Sequence, residues 1–430
     1  MSQASQIPGP RNPATNSHAI PQQRALDQEG RISRWDLIVI CFLVVFFDGF
    51  DTTSIGFVAP TLAREWGLPA PAFTPAFVAT SMGAVLGYMI SGPLARRLGS
   101  RRAIFCSVLL FATGSMATAL VASLPSLAIL RLITGVGLGV TLPAAVALAS
   151  AYCPARHREV IAITVTAGIG LGSAFGGMLG GHLIAEYGWR SVFCLGGLLP
   201  ALLLPFIWWR LPAATCSNNL PGQQFDVPPP SSETSIRALF RGSLALPTTL
   251  LWSFSFLIFI TVYALYFWLP ILLLDFHFSP GETPAGIAFL SIGGLLGALL
   301  LIPLSARFGA ARVLIFSSLL GAAAIAVVAA IDLTQQQALL GIAVIGAGLL
   351  AGTIGQSAIA ATLYPAAART TGIGCAAAVG RIGSILGPAA GGLLLALQRP
   401  TREIVLSACI PVLIAAVAIA AFHACQRKPS

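Results

Sequence analysis

Residues 92–102 read Gly-Pro-Leu-Ala-Arg-Arg-Leu-Gly-Ser-Arg-Arg, and residues 302–312 read Ile-Pro-Leu-Ser-Ala-Arg-Phe-Gly-Ala-Ala-Arg. Proline, leucine, arginine and glycine recur at equivalent positions in the two stretches, at an offset of 210 residues. A second repeat, at an offset of 211 residues, aligns the glycines and serine around Gly172 with those around Gly383. These repeats predict that the chain consists of two halves with the same internal organisation.

The composition is that of a chain that spans a membrane. Of 430 residues, 56% are hydrophobic and 9% are charged, and the mean hydropathy is +0.86. A soluble domain carries roughly 25% charged residues, so this chain cannot cover a water-facing surface. At about 20 residues for each membrane-spanning helix, there is room for about a dozen spans. The apolar runs lie at residues 36–60, 74–95, 103–123, 126–151, 159–185, 189–210, 245–274, 284–305, 312–331, 337–363, 370–397 and 402–423.

The distribution of basic residues predicts the orientation of the chain. If the N-terminus is cytoplasmic, 18 of the 24 lysine and arginine residues fall in cytoplasmic segments and four fall in segments on the outer side of the membrane. The remaining two lie within spans. Basic residues favour the cytoplasmic side, so we expect both termini to be cytoplasmic in a multi-pass protein of the cell inner membrane. The predicted domains are a disordered tail (1–35), an N-terminal six-helix bundle (36–210), a cytoplasmic linker (211–243), a C-terminal six-helix bundle (244–423) and a short tail (424–430).

Several other functional classes are disfavoured. The net charge of +10 does not indicate nucleic-acid binding, because the basic residues lie between apolar runs rather than on a soluble face. The eight cysteines lack the spacing of a metal site and are interpreted as buried apolar residues, so no metal or cofactor is predicted. A membrane enzyme or a signalling receptor is disfavoured by the lack of a metal cluster, a nucleophile with a nearby base, and a sizeable soluble domain. Oligomeric state is left open.

Four charged residues lie well inside predicted spans, away from the span ends, where a charge costs several kcal/mol. Asp48 and Asp51 lie in the first span, three residues apart and hence on one helix face. Arg131 lies in the fourth span and Arg381 in the eleventh. A rise of 1.5 Å per residue places Asp51 and Arg131 at a similar depth, roughly 8 Å from the outer boundary, and Arg381 near the midplane. Matched depth predicts an Asp–Arg pair across a central cavity.

These charges admit two interpretations. An Asp–Arg pair can simply hold two helices together, and Arg381 can simply satisfy backbone carbonyls. Alternatively, an arginine offers a fixed cation with bidentate geometry to a carboxylate, and a buried aspartate can exchange protons near neutral pH. We favour the second interpretation, because the charges are several and their depths agree. It assigns proton coupling to Asp48 and Asp51 and anion binding to Arg131 and Arg381.

Aromatic residues in the seventh span extend the candidate binding site. Tyr263 and Tyr266 have helical spacing, so both could stack on a planar ring. Packing against neighbouring helices or lipid is the alternative for each of them. We include both residues in the predicted substrate site.

Three stretches resemble the aromatic acid:proton symporter family of the major facilitator superfamily. They are residues 48–60 in the first span, 131–139 in the fourth, and 369–388 in the eleventh. The resemblance implies an all-α membrane protein with twelve transmembrane helices in two pseudo-symmetric six-helix bundles, the major facilitator fold. It also implies that Asp48 and Asp51 are required for transport and that Arg131 and Arg381 handle the anion.

One feature of the superfamily is missing from this chain. Acidic residues that usually pair with arginines at the cytoplasmic gate are replaced by Arg96, Ala306 and Ala151. The resemblance therefore implies a weaker or differently built inner gate. The arginines expected to line this gate are Arg97, Arg156, Arg307 and Arg369.

The combined prediction is a secondary active transporter, not an enzyme, that works by alternating access. It is expected to take up an aromatic carboxylate of the benzoate or hydroxybenzoate type together with protons. A related catabolic intermediate, such as a muconate or muconolactone, falls in the same class. An exporter, or a carrier of another small organic anion, is the alternative.

Overall fold

The structure is a computed structural model that describes residues 34–153, 157–212, 239–365 and 368–427. The described chain is helical, with three short 3-10 turns at Ala70–Phe73, Gly242–Leu244 and Leu274–Phe276. The helices are α1 (Arg34–Trp66), α2 (Thr74–Leu98), α3 (Ser100–Thr118), α4 (Leu124–Ala151), α5 (Arg158–Tyr187), α6 (Arg190–Arg210), α7 (Ala245–Leu273), α8 (Pro284–Phe308), α9 (Ala310–Ala330), α10 (Gln335–Leu363), α11 (Arg369–Ala396), α12 (Thr401–Ser407) and α13 (Cys409–Arg427).

Each predicted apolar run corresponds to a helical segment. In the described residues, eleven segments are long and apolar enough to cross a membrane, and α12 and α13 together make one of them. The remaining segment, α3, has only 19 residues, and two arginines stand in its first turn. It packs against α4 and α6 and completes the first set of six. The main difference from the predicted boundaries is α1, which continues past residue 60 to Trp66.

The two halves repeat the same packing, down to individual glycine contacts. In the first half α1 packs on α5 and α2 on α4, and in the second half α7 packs on α11 and α8 on α10. A Cβ atom added to Gly172 would lie 1.8 Å from the carbonyl oxygen of Phe46, and one added to Gly383 would lie 2.4 Å from that of Phe256. Gly383 follows Gly172 by 211 residues, and Phe256 follows Phe46 by 210 residues, which are the two offsets of the sequence repeat. Only glycine allows helices to approach this closely, so the repeat specifies the packing.

Contacts between the halves concentrate at one end of the bundle. The halves meet along α1 and α7, α5 and α8, and α2 and α11. The ring of Phe77 on α2 lies 5.0 Å from that of Phe267 and 4.8 Å from that of Trp268, both on α7. A Cβ on Gly181 would lie 2.2 Å from the carbonyl oxygen of Gly281. This end, which carries the α1–α2 and α7–α8 connections, is closed; under the predicted orientation it is the outer end.

At the opposite end of the bundle, the described residues leave the two halves apart. A Cβ added to Gly374, seven residues before Arg381 on α11, would meet no atom within 4 Å. Arg97 at the end of α2 and Arg307 at the end of α8 are both exposed. In the described residues the closest contacts between the halves therefore lie at the end that carries the α1–α2 connection, and we interpret the conformation as open toward the end where the chain enters α1.

Several predicted segments fall on residues that the structure does not describe. The N-terminal tail, most of the linker, and the last three residues lie outside the described ranges. In the part that is described, α13 runs to Arg427, four residues beyond the predicted end of the last bundle. The domain boundaries stay predictions.

The repeated glycine contacts yield a test of packing. A Cβ on Gly293 of α8 would lie 1.8 Å from the carbonyl oxygen of Ala343 on α10. We expect Gly293→Leu to lower the apparent Tm of the purified protein in detergent, because overpacking costs roughly 1–3 kcal/mol or more. Gly374→Leu is the matched control and should leave the Tm unchanged. Equal Tm values for the two variants would contradict the packing described here.

Candidate functional site

A fully buried ion pair joins α1 to α4. Nη1 of Arg131 donates to both carboxylate oxygens of Asp51, at 3.2 and 3.4 Å, and Nη2 donates to its main-chain oxygen at 3.1 Å. The hydroxyl of Ser115 on α3 also donates to the Asp51 carboxylate, at 2.7 Å. Nε of Arg131 donates to the hydroxyl of Thr80 on α2, at 3.4 Å. Four helices of the first half thus meet at one charge pair, which is the pair expected from matched depth.

This ion pair is closed to a ligand in the present conformation. The side chains of Asp51 and Arg131 are both 0% exposed. Most of the guanidinium donors are already satisfied, and a partner of opposite charge cancels each charge. In this conformation the pair is a neutral unit inside the first half. Proton coupling by Asp51 and anion binding by Arg131 stay predictions.

Arg381 lies in a different setting, between the two halves. Its Nη1 donates to the hydroxyl of Tyr263 on α7 at 2.9 Å, and its Nη2 donates to the hydroxyl of Tyr88 on α2 at 2.5 Å. Its Cζ lies 4.0 Å from the ring centroid of Tyr88 and 5.8 Å from that of Phe259. Arg381, Tyr88 and Tyr263 are all half-buried. We call these four residues, Arg381, Tyr88, Tyr263 and Phe259, the Arg381 cluster.

No acidic side chain in the described residues lies within ion-pair distance, 4.0 Å, of Arg381. Its two hydrogen-bond acceptors are neutral phenols, so the cluster carries a full positive charge. Asp48 interacts with Arg381 electrostatically but over a longer distance. The Asp48 side chain accepts a hydrogen bond from the hydroxyl of Thr52 at 3.0 Å, and the residue is 6% exposed. An unneutralised cation therefore stands beside a buried carboxylate that has no close ion-pair partner.

The structure thus separates the four predicted charges into two groups. Asp51 and Arg131 neutralise each other within the first half, whereas Asp48 and Arg381 lie in different halves and interact electrostatically without a direct contact. Tyr263 belongs to the Arg381 cluster. Tyr266 is outside this cluster and is 9% exposed. Its ring is edge-on to the ring of Tyr263, and the two ring centroids lie 6.2 Å apart. Its role as a substrate contact stays a prediction.

The predicted gate arginines are only partly described. Arg97 and Arg307 are exposed at the open end, and neither forms an ion pair within the described residues. Arg156 lies outside those residues, and the side chain of Arg369 is not among the described ones. Their role in a gate stays a prediction.

Two members of the cluster, Tyr88 and Phe259, were not predicted as site residues from the sequence. A signal for Tyr88 was present, because tyrosines in membrane proteins favour the interface and this one falls in the middle of a span. A hydroxyl at that depth requires a partner. Phe259 carried no such signal, since a phenylalanine in a span is ordinary.

A cleft of about 240 Å³ at the closed end is a poorer candidate for an anion site. Its lining includes His182 of α5, Glu282 of the α7–α8 connection and Gln335 of α10. His182 pairs with Glu186 at 3.3 Å. A hydrogen bond from the backbone N–H of Ser279 lowers the pKa of Glu282. Carboxylates that stay ionised repel an anion, so this cleft does not compete with the Arg381 cluster. In the described residues no cluster of His, Cys, Asp and Glu could hold a metal ion.

Comparison with known proteins agrees with this fold. The chain matches the Major Facilitator Superfamily over residues 41–353 and 251–430. Among solved structures, a D-xylose–proton symporter superimposes with a TM-score of 0.72 at 16% identity, over 90% of this chain and 97% of that chain. At this low identity the likeness concerns the fold alone.

Two curated relatives are similar over nearly their whole length. The gallate transporter of Pseudomonas putida is 32% identical over 410 residues, which cover 90% of this chain and 91% of that protein. The 4-hydroxybenzoate transporter PcaK of Pseudomonas aeruginosa is 32% identical over 439 residues, covering 94% and 97%. Both names describe transport of a hydroxylated benzoate, an aromatic ring with a carboxylate.

Proposed function

Because this chain belongs to the aromatic acid transporters of the major facilitator superfamily, we propose that it takes up a hydroxybenzoate-type carboxylate together with protons. The substrate carboxylate binds Arg381, and Asp48 takes up the proton. Access to the site alternates between the two ends of the bundle. This assignment goes further than the family, since it names a residue for the anion and a residue for the proton.

The observation that supports the anion site is the charge of the Arg381 cluster. A guanidinium whose hydrogen-bond acceptors are neutral can accept an anion without first losing an ion-pair partner. Arginine can bind both oxygens of a carboxylate at once. By contrast, an anion that approached Arg131 would have to displace Asp51, which holds it through two hydrogen bonds. Arg381 is therefore the better anion site in this conformation.

The surroundings of Arg381 suit an aromatic acid. The rings of Tyr88, Tyr263 and Phe259 stand around the guanidinium, and Tyr263 stacks on Phe259 at 5.9 Å. A benzene ring attached to the carboxylate can contact these rings in offset or edge-on geometry. The hydroxyl of Tyr263 can also hydrogen-bond to hydroxyl groups on the substrate ring. These contacts favour an aromatic acid over an aliphatic acid of similar size.

The relation between Asp48 and Arg381 couples the proton to the anion. In the empty site, the positive charge of Arg381 stabilises the buried carboxylate of Asp48. A bound anion neutralises Arg381, so Asp48 loses this support and its charged form becomes unfavourable in a buried position. Asp48 then takes up a proton, so the site has no net charge either when it is empty or when it holds the anion and the proton. Proton and anion consequently bind together.

The orientation of the chain is part of the proposal. With both termini in the cytoplasm, as the arginine distribution indicates, the open end faces the cytoplasm. The conformation described is then the inward-facing one, and the aromatic contacts of Phe77 close the outer side. A bacterial inner membrane, which maintains an inward proton gradient, is the expected location.

A transport assay in proteoliposomes tests the proposed coupling. We expect radiolabelled 4-hydroxybenzoate to accumulate when the outside is acidified, and a protonophore to abolish the accumulation. Asp48→Asn should lose the gradient-driven accumulation while retaining exchange of labelled for unlabelled substrate. Asp36→Asn is the control, because Asp36 lies on the same helix but forms a partly exposed pair with Arg210. Normal accumulation by Asp48→Asn would contradict the role of Asp48.

A further inference from the structure

The two phenols that hold Arg381 belong to different halves of the molecule. Tyr263 stands on α7, in the same half as Arg381, and Tyr88 stands on α2 in the other half. Alternating access requires the halves to move relative to each other. One of the two hydrogen bonds can therefore persist through the transport cycle, and the other crosses the moving boundary.

The helix that carries Tyr88 is fixed to the first half. A Cβ on Gly83 would lie 2.2 Å from the carbonyl oxygen of Leu132 on α4, and one on Gly87 would lie 2.3 Å from that of Val136. The second glycine directly precedes Tyr88. Backbones in such close contact move as one body, because any sliding produces a clash. Tyr88 thus follows α4 and the buried ion pair.

The partners of Arg381 within the second half are fixed in the same manner. A Cβ on Gly383 would lie 2.4 Å from the carbonyl oxygen of Phe256, and one on Gly387 would lie 2.3 Å from that of Ile260, both on α7. These contacts lie on the same two helices, within seven residues of Arg381 and Tyr263. The bond between Arg381 and Tyr263 lies within one rigid unit, whereas the bond to Tyr88 joins two units.

We propose that Tyr88 is a removable ligand of Arg381: its phenol occupies the guanidinium while the site is empty, and the carboxylate of the substrate displaces it. This inference rests on the proposed function, since it presumes an anion at Arg381. Its consequence is that an anion which binds also releases a contact between the halves. Occupancy of the site is thereby linked to the freedom of the halves to move.

The exchange of ligands is physically reasonable. A phenol is a neutral acceptor, and a carboxylate forms hydrogen bonds to guanidinium that are roughly twice as strong. Tyr88 can give up the hydrogen bond and keep its ring near the guanidinium, where the centroid now lies 4.0 Å from Cζ. Displacement of the hydroxyl therefore does not require the side chain to leave the site.

Removal of the hydroxyl alone tests this inference. In Tyr88→Phe the competitor is gone and the ring remains, so the Kd for 4-hydroxybenzoate, measured with purified full-length protein, should fall roughly three- to tenfold. Tyr263→Phe is the matched control: it removes a bond that persists in the bound state, so its Kd should not fall. An unchanged or higher Kd for Tyr88→Phe, or a fall in both variants, would overturn the inference.

A second measurement reports on the contact between the halves. Substrate should increase hydrogen exchange at the facing segments of α2 and α11 in the wild-type protein, and Tyr88→Phe should show this increase without substrate. If substrate-free Tyr88→Phe exchanged hydrogen in these segments only as fast as the substrate-free wild-type protein, the proposal would be contradicted. If Tyr88→Phe does not fold, the wild-type protein carries the test alone, and unchanged exchange in α2 and α11 on substrate binding would contradict the proposal. Failure of the wild-type protein to bind any aromatic carboxylate would reject the proposed function itself, whereas binding without the Tyr88 effect rejects only this inference.

Discussion

Replacing Arg381 with glutamine is expected to lower kcat/KM for 4-hydroxybenzoate uptake by roughly 30-fold or more. Removal of one member of a buried charge pair costs roughly 2–5 kcal/mol, and each 1.4 kcal/mol corresponds to about a tenfold change. Lysine should restore little activity, because it cannot bind both carboxylate oxygens in the geometry of a guanidinium. Initial rates of labelled uptake in proteoliposomes measure the effect.

The Arg381 variants should remain folded, which separates a transport defect from a loss of protein. Arg381 is half-buried and its acceptors are neutral, and Asp48, which loses the support of this charge, can take up a proton. Arg190→Gln is the control, because this arginine forms a partly exposed pair with Glu65. A folded Arg381→Gln protein with the KM and kcat of the wild type would exclude Arg381 as the anion site.

The second large effect concerns stability rather than transport. Asp51→Asn removes the charge that neutralises Arg131 and leaves a guanidinium that is 0% exposed without a counter-charge. Such a change costs roughly 3–5 kcal/mol, which is a large part of the stability of most proteins. We therefore expect a marked fall in the yield of folded protein and in the apparent Tm. Thermal unfolding in detergent, followed by size-exclusion chromatography, measures both.

Two further variants show whether the effect comes from an unpaired charge. The double variant Asp51→Leu, Arg131→Met removes both charges and should be more stable than Asp51→Asn. Asp48→Asn should retain nearly the wild-type Tm, since in the part of the chain that the structure describes the Asp48 side chain has only the neighbouring Thr52 as a hydrogen-bond partner. A stable Asp51→Asn protein that has lost proton coupling would instead support the sequence-based role of Asp51 as a proton carrier.

The architecture was largely predictable from the sequence because the repeat records helix packing. Glycines that match at offsets of 210 and 211 residues are those at which helices touch: Gly83 meets Leu132 in one half, and Gly293 meets Ala343 in the other. A contact this close constrains the residue type, so the pattern is visible in a single sequence. The third span was identified from its apolar run despite its two arginines.

The candidate site was less predictable, because its partners come from separate helices. Depth along a helix correctly paired Asp51 with Arg131, since both positions can be measured from a membrane boundary. Depth does not give the direction in which a side chain points, and it therefore failed to separate Asp48 from Asp51. Tyr88 was missed because its function depends on the facing helix α11, which no pattern within α2 indicates.

The conformational state was also beyond the reach of sequence. The unusual gate, with Arg96 in place of the expected acid, predicted a weak inner closure but not which end would be open. That property depends on contacts between the halves, such as Phe77 with Trp268 at the closed end. An alternating-access transporter must be able to close each end in turn. Its sequence must therefore be compatible with the contacts of both the inward-facing and the outward-facing conformation.

An anion that binds at Arg381 is expected to make Asp48 take up a proton. Calorimetry of 4-hydroxybenzoate binding, repeated in buffers with different enthalpies of ionisation, counts the protons that enter the protein with each anion. The wild-type protein should take up protons together with the anion near neutral pH, and Asp48→Asn should take up none while still binding the anion. Binding by the wild-type protein with no dependence on the buffer, or proton uptake that survives in Asp48→Asn, would contradict the account.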